Sequence, residues 1–258
     1  MNPPSLTASP CQIVYFHILS ANDNDITKIG AKLNDEMFDC WIKPVHSSAM
    51  MKGFEEFEWR NSKLFFRNEE LSAVNLKTGL KMFLEFLKSS PKPIILISHS
   101  AYAGTELLCH AIVKSGLKRV FDGLIVGCID SMEIFNKPPF DRTRTEQLAL
   151  DVLYQDLLGL HYTQKFYDVP YYLTVLEELI TSLIPTDYLI RNSVPYEEFM
   201  TSEDETDGDE DDGMGRDEGD SSEDETGGNG NRNGDIRYCA SFSYRFIPID
   251  QYENRNGL

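Results

Sequence analysis

The chain is short of positive charge, paired cysteines and long apolar runs, and each shortage closes off a class of function. Lysine and arginine number 24 against 42 aspartates and glutamates in 258 residues, a formal net charge of −18. Such a chain gives no long-range attraction for a phosphate backbone. No cluster of lysine and arginine marks a nuclear import signal. The five cysteines, Cys11, Cys40, Cys109, Cys128 and Cys239, are odd in number, widely spaced and without a CxxC pair. Neither a disulfide framework nor a zinc ribbon is expected, and the thiols should be reduced and mostly buried. No apolar stretch reaches membrane length, and Ile13 to Leu19 is too short for a secretory core and follows no basic residue. An intracellular protein without membrane contact is the expectation, with composition leaving nucleus and cytoplasm open.

The acidity is concentrated. Between Ser202 and Thr226 stand fourteen acidic residues against Arg216 alone, including two copies of Ser-Glu-Asp-Glu-Thr. A segment of this composition cannot bury enough apolar surface to offset its ordering entropy and should be disordered. The reading is therefore a flexible lead-in over 1–10, a folded domain over 11–193, an acidic linker over 194–237 and a short segment over 238–258. In that last segment Tyr238, Ala240, Phe242, Tyr244 and Phe246 alternate as a docking strand would.

What is abundant lies in the middle of the chain. Ile94-Ile-Leu-Ile97 follows a proline and is continuously apolar, as a strand buried on both faces would be. A polar turn comes next, and then Leu107, Leu108, Ala111 and Ile112 recur at helical spacing up to Gly116. In such a strand–loop–helix unit the loop at the strand's carboxyl end is where ligands sit, which draws attention to residues 98 to 104.

Before this unit the sequence predicts strands over Cys11 to Ser20, Ile26 to Leu33 and Met37 to Ile42, joined by short turns as an antiparallel meander. Residues 45 to 70 read as an irregular loop whose rings, Phe54, Phe57, Trp59, Phe65 and Phe66, pack it onto the core. A helix is predicted from Asn75 to Ser89. After Gly116 come a strand over Leu124 to Ile129, a short stretch to Phe135, a helix ended by Gly159 and a last helix ended by Pro185. The fold class is α/β: a mixed sheet, three-stranded meander plus two further strands, flanked by helices.

Several blocks resemble the DEDDh 3′-to-5′ exonucleases. Val14-Tyr-Phe-His-Ile-Leu19 with Ile26-Thr-Lys-Ile-Gly-Ala31 is similar to their opening Asp-x-Glu strand and the strand after it. Ser98-His-Ser-Ala-Tyr-Ala-Gly104 resembles their His-Asn-Ala-x-Phe-Asp block, and Thr163-Gln-Lys-Phe-Tyr-Asp168-Val169 resembles His-x-Ala-x-x-Asp-Val. The similarity spans about residues 12 to 184 and looks nearest to the exonuclease-like domain at the C-terminus of some promyelocytic leukaemia proteins. It implies a ribonuclease H-like fold and a nuclear setting.

The chemistry implied by the resemblance needs four carboxylates around two divalent ions and a histidine as general base. Here the first carboxylate position is His17, the second Leu19 and the third Gly104, while the base position is Thr163. Asp168 alone remains. Leucine and glycine offer magnesium nothing, and an imidazole is a poor substitute for a carboxylate. No metal or other cofactor is therefore expected, and no catalysis. Asp168 precedes Pro170 and reads as a helix cap more readily than as a ligand.

Other binding candidates are His17 facing the vacated site, His99 as a hydrogen-bonded residue at the strand end, and Lys114, Lys118, Arg119, Arg142 and Arg144 as phosphate contacts. The expectation is a catalytically inactive exonuclease-fold protein acting as a protein-interaction module, with a basic partner drawn by the acidic tail. The alternatives are a nucleic-acid reader that keeps the groove without cleavage and, last, an active exonuclease with displaced ligands.

Overall fold

A computed structural model describes residues 10–22, 25–43, 57–60, 63–66, 68–99, 101–162 and 168–200. The chain divides into two units, Met1–Asp204 and Glu205–Leu258, and every described residue belongs to the first. The expected acidic linker from Thr201 onward and the segment Tyr238 to Asp250 lie outside the described residues, as does Thr163.

Three strands open the body: β1 (Gln12–Asn22), β2 (Asp25–Leu33) and β3 (Glu36–Ile42). They form the antiparallel meander that the short polar turns predict. Next come β4 (Phe57–Arg60), β5 (Lys63–Phe66) and β6 (Glu69–Leu71), paired antiparallel as a separate three-stranded sheet. The expectation of an irregular loop over 45 to 70 is corrected from Phe57 onward, while residues 45–56, with Phe54, lie outside the described residues. Phe57 faces Phe66, Glu58 faces Phe65, Trp59 faces Leu64 and Arg60 faces Lys63, so ring and charge alternate along the β4 sequence while the adjacent Phe65 and Phe66 of β5 break that pattern. The rings are crowded enough in sequence to hide that period of two.

The strand β7 (Ala73–Val74) leads into α1 (Leu76–Leu87), whose first turn is capped by the Asn75 side chain accepting from the Thr78 amide at 2.9 Å. The central unit is β8 (Ile94–Ser98) followed by α2 (Ala101–Lys114) and α3 (Lys118–Phe121). Gly116 turns the chain after α2 at φ 69°, a conformation that costs glycine nothing. Then follow β9 (Ile125–Asp130), α4 (Ser131–Phe135), α5 (Leu150–Leu158), α6 (Val169–Leu183), α7 (Thr186–Arg191) and β10 (Val194–Pro195). Among the described residues no helix is long and apolar enough to cross a membrane.

The main sheet has seven strands in the order β10-β9-β8-β1-β2-β3-β7. Strand β8 lies parallel to β1 and β9 parallel to β8, so the sheet is mixed. One face, with Val14, Phe16, Ile29, Ala31 and Leu96, packs on Leu80, Phe83 and Leu87 of α1 and on Leu108 and Ile112 of α2. The opposite face, with Tyr15, Leu19, Ile95, Ile97 and Ile129, packs on Val169, Leu173 and Leu176 of α6 and on α5. At Gly30 of β2 an added Cβ would lie 2.1 Å from Val169 Cγ1, so the missing side chain is what lets α6 settle onto the sheet.

The folded body runs past the boundary that composition places at 194. Val194 pairs with Cys128 of β9, and Tyr196 and Met200 are buried in the core. These residues abut the acidic run, which masks their apolar contribution in any composition window.

Candidate functional site: the crevice at the end of β1 and β8

Strand β1 has β2 on one side and β8 on the other, so the chain's path through the sheet reverses between β1 and β8. Ligands in open α/β sheets bind outside the carboxyl ends of strands at such a point. Tyr15 pairs with Ile97, which sets His17 level with the position just past β8. The candidate crevice therefore contains His17, Leu19 and His99, with the amino end of α2 on one side and that of α6 on the other.

Residues directly paired across β1 and β2 share a face, which places His17, Leu19, Lys28 and Gly30 together under α6. The His17 ring lies against Tyr172 of α6, with centroids 4.2 Å apart and planes tilted by 31°. Although half-buried by surface, His17 is lowered to a pKa of about 4, first by desolvation and then by His99 and Lys28 nearby. It is neutral at physiological pH. Leu19 is buried and supplies only apolar cover.

His99 is also neutral, lowered to about 4 by burial against a smaller opposing effect of the Leu148 carbonyl. Its Nε2 stands 2.7 Å from Leu148 O, and its Nδ1 stands 2.7 Å from Ser131 Oγ. A carbonyl can only accept, so Nε2–H donates to Leu148 and Nδ1 accepts from the Ser131 hydroxyl. The ring ties the end of β8 to α4 and to the turn before α5, the hydrogen-bonded role expected from sequence.

The residue that sequence reasoning missed is Lys28. Its side chain is 3% exposed, donates to Asp39 Oδ1 of β3 at 2.9 Å and lies 4.3 Å from the centre of the Trp41 ring. An ammonium thus sits inside the crevice beside the first two carboxylate positions of the resemblance. Asp39 is pushed up by burial, held down in part by Lys28, and raised further by Asp168. A lysine between Ile26, Thr27 and Ile29 gives no local sign of pointing inward.

Asp168 is the N-cap of α6, accepting from the Tyr171 amide at 3.2 Å with Pro170 in the first turn. This is the capping role read from sequence, and it leaves the carboxylate beside Asp39 instead of paired with His17. Gly104 lies in the first turns of α2, and a Cβ there would have nothing within 4 Å. The position offers space and no ligand. Among the described residues no three His, Cys, Asp or Glu side chains come together as a metal-holding group.

The five basic candidates do not form one groove. Helix α2 runs back from the carboxyl end of β8, so Lys114, Lys118 and Arg119 lie toward the opposite edge of the sheet from the crevice. Arg142 and Arg144 follow α4 at the crevice end, but Arg142 donates to Asp156 at 3.0 Å and Arg144 lies 3.9 Å from Glu146. No protein-family model matches this chain, and neither does any curated protein.

Proposed function

We propose that this protein is a catalytically inactive relative of the DEDDh exonucleases, with a ribonuclease H-like fold, and that it works by binding another protein. The family reading is supported by the element order and by a core in which a three-stranded meander is continued by two parallel strands, β8 and β9. The observation that carries the loss of catalysis is the filling of the crevice. An ion-paired ammonium, Lys28 with Asp39, and a neutral imidazole stacked on Tyr172 occupy the space beside the carboxylate positions of the family. Lys28 engages the nearby Asp39 carboxylate, and Leu19 and Gly104 cannot coordinate a divalent cation.

With the basic side chains split between two ends of the sheet or held in ion pairs, the observations favour a protein partner over a nucleic acid. The test follows the fluorescence anisotropy of an end-labelled single-stranded oligonucleotide over time, with manganese and the full chain. The expected trace is flat. Anisotropy falling below that of the free probe means the strand is being shortened and overturns the proposal. A stable rise that weakens steeply with salt makes the protein a nucleic-acid reader instead.

A further inference from the structure

The main sheet ends unevenly on its β3 side. Strand β3 runs from Glu36 to Ile42, but β7 pairs only with Trp41 and Ile42. Residues Glu36 to Cys40 therefore have β2 on one side and, among the described residues, no strand on the other. The Lys43 amide donates to Val74 O of β7 at 2.8 Å, so the main-chain groups of Lys43 and of alternate residues before it, Trp41, Asp39 and Met37, point toward that edge. Met37 and Asp39 are exposed, and each holds one N–H and one C=O toward the side that no described strand occupies. Such an edge is a template for another extended chain.

The side chains around this edge narrow the choice of chain. Phe38 points to the α1 face, its ring 5.5 Å from that of Phe86 and 5.6 Å from that of Phe83. Met82 stands one turn before Phe86 on the same flank of α1 and is 46% exposed. A strand laid beside β3 would run beneath this flank and place every second side chain against Phe38, Phe86 and Met82. At the Glu36 end the edge opens into a hollow lined by Gln12, Asn34, Asp35, Glu36, Ser89 and Ser90. Gln12 donates to Asn34 at 3.0 Å, and both serine hydroxyls donate to main-chain carbonyls. Asp35 and Glu36 have no ion pair among the described residues, which leaves two carboxylates there without a cation.

We propose that the open edge of β3 is a strand-addition site for an extended segment of a protein partner, basic at one end and apolar at alternate positions. Main-chain bonds to Met37 and Asp39 supply the pairing, and Phe38, Phe86 and Met82 take the apolar side chains. A lysine or arginine of the segment enters the hollow beside Asp35 and Glu36 and so fixes the register. This inference rests on the protein-binding reading above and names its surface and partner chemistry.

The test titrates the full chain against a fluorescein-labelled peptide that opens with two arginines and continues in alternating valine and threonine, reading anisotropy at several salt concentrations. The acidic run beyond Ser202 also attracts arginine, so each variant is made both in the natural chain and in one whose tail acids are Asn and Gln. Met37→Pro removes an outward donor without a sheet partner and should weaken binding about tenfold, whereas Met37→Thr keeps the donor and should stay within about twofold. Two further probes leave the protein untouched. N-methylation of one alternate set of peptide residues should cost about tenfold in affinity and of the other set little, because only one set faces β3. Asp35→Asn with Glu36→Gln should weaken binding about fivefold and flatten its salt dependence, while Met82→Ser should weaken it about threefold at unchanged salt dependence.

Equal affinity of the two methylated peptides, or of wild type and Met37→Pro in the neutral-tail background, overturns strand addition. A wild type that sediments as a dimer, with Met37→Pro a monomer, assigns the edge to a second copy and overturns the partner segment. The labelled oligonucleotide separates this inference from the reading beneath it. An oligonucleotide left intact and unbound, with peptide affinity insensitive to the substitutions, removes the inference and leaves the protein-binding proposal standing. An oligonucleotide that is shortened removes the protein-binding proposal itself.

Discussion

Beneath α1 and α2 the central sheet presents Val14, Phe16, Ile29, Ala31 and Leu96, whereas beneath α6 the same strands present Tyr15, His17, Lys28 and Lys32. Both faces are covered by helices. On the first, the packing carries no charge: Phe83 and Leu87 of α1 are fully buried, and the polar groups among them are the buried hydroxyls of Ser98 and Thr105. On the second, two lysines are held under the helix by Asp39 and Glu177. Replacing a buried ion pair with apolar residues of similar volume is often neutral or stabilising, so cover does not require these pairs. The polarity of the α6 face gathers toward the carboxyl ends of β1 and β8, where His17, Lys28 and Asp39 stand. Such a gradient is what the proposed inactive-exonuclease reading expects.

The strongest way to break this comparison is to make the α6 face resemble the other. Lys28→Met alone strands the half-buried Asp39 carboxylate and should cost about 3 kcal/mol, read as a fall in the urea midpoint at unchanged slope. The double change Lys28→Met with Asp39→Leu removes both charges and should recover to within about 1 kcal/mol of wild type. Additive costs would instead mean that the two residues act independently, and the pair would lose its standing as the filler of the crevice.

Much of the architecture was legible because its signals are local. Asn75 before an apolar helical period, Gly116 and Gly159 after one, and Asp168 two residues ahead of Pro170 each mark a boundary that the structure keeps. The crevice was legible as a place, since the buried run Ile94 to Ile97 and its following loop define a strand end. Its contents were not. Lys28 meets Asp39 only through the register that sets Lys28 opposite Trp41 and Gly30 opposite Asp39, and no local pattern encodes a partner on the next strand. The Tyr162–Tyr171 contact likewise joins residues separated by the α5–α6 connection. Val194 to Met200 escaped notice because a run of acids beside them outweighs one buried tyrosine and one buried methionine in any average.

The two faces should also respond differently to acid. His99 has a folded pKa of about 4 against an ordinary value of 6.5, so the unfolded chain binds a proton across that interval that the native state refuses. Stability is therefore complete above about pH 6.5 and is lost as pH falls toward 4, by about 3 kcal/mol from this ring. His17 acts in the same direction, reduced because it is half-exposed. Denaturation midpoints measured from neutral pH down to the folded pKa should fall less steeply in His99→Gln. The glutamine amide still donates to the Leu148 carbonyl and takes up no proton. Parallel slopes for the two proteins would mean that the acid response arises elsewhere.

The smallest effect separates the two roles open to Asp168. As the cap of α6 it satisfies the Tyr171 amide, so Asp168→Ala should cost about 1 kcal/mol and Asp168→Asn close to nothing. A metal ligand would invert that pattern. Magnesium or manganese would then raise the melting temperature of wild type, because an ion bound only to the native state stabilises it by mass action, and both substitutions would abolish the rise. Capping predicts melting curves that ignore the metal and rank alanine below asparagine. That ranking would place Asp168 with the residues that shape the α6 face.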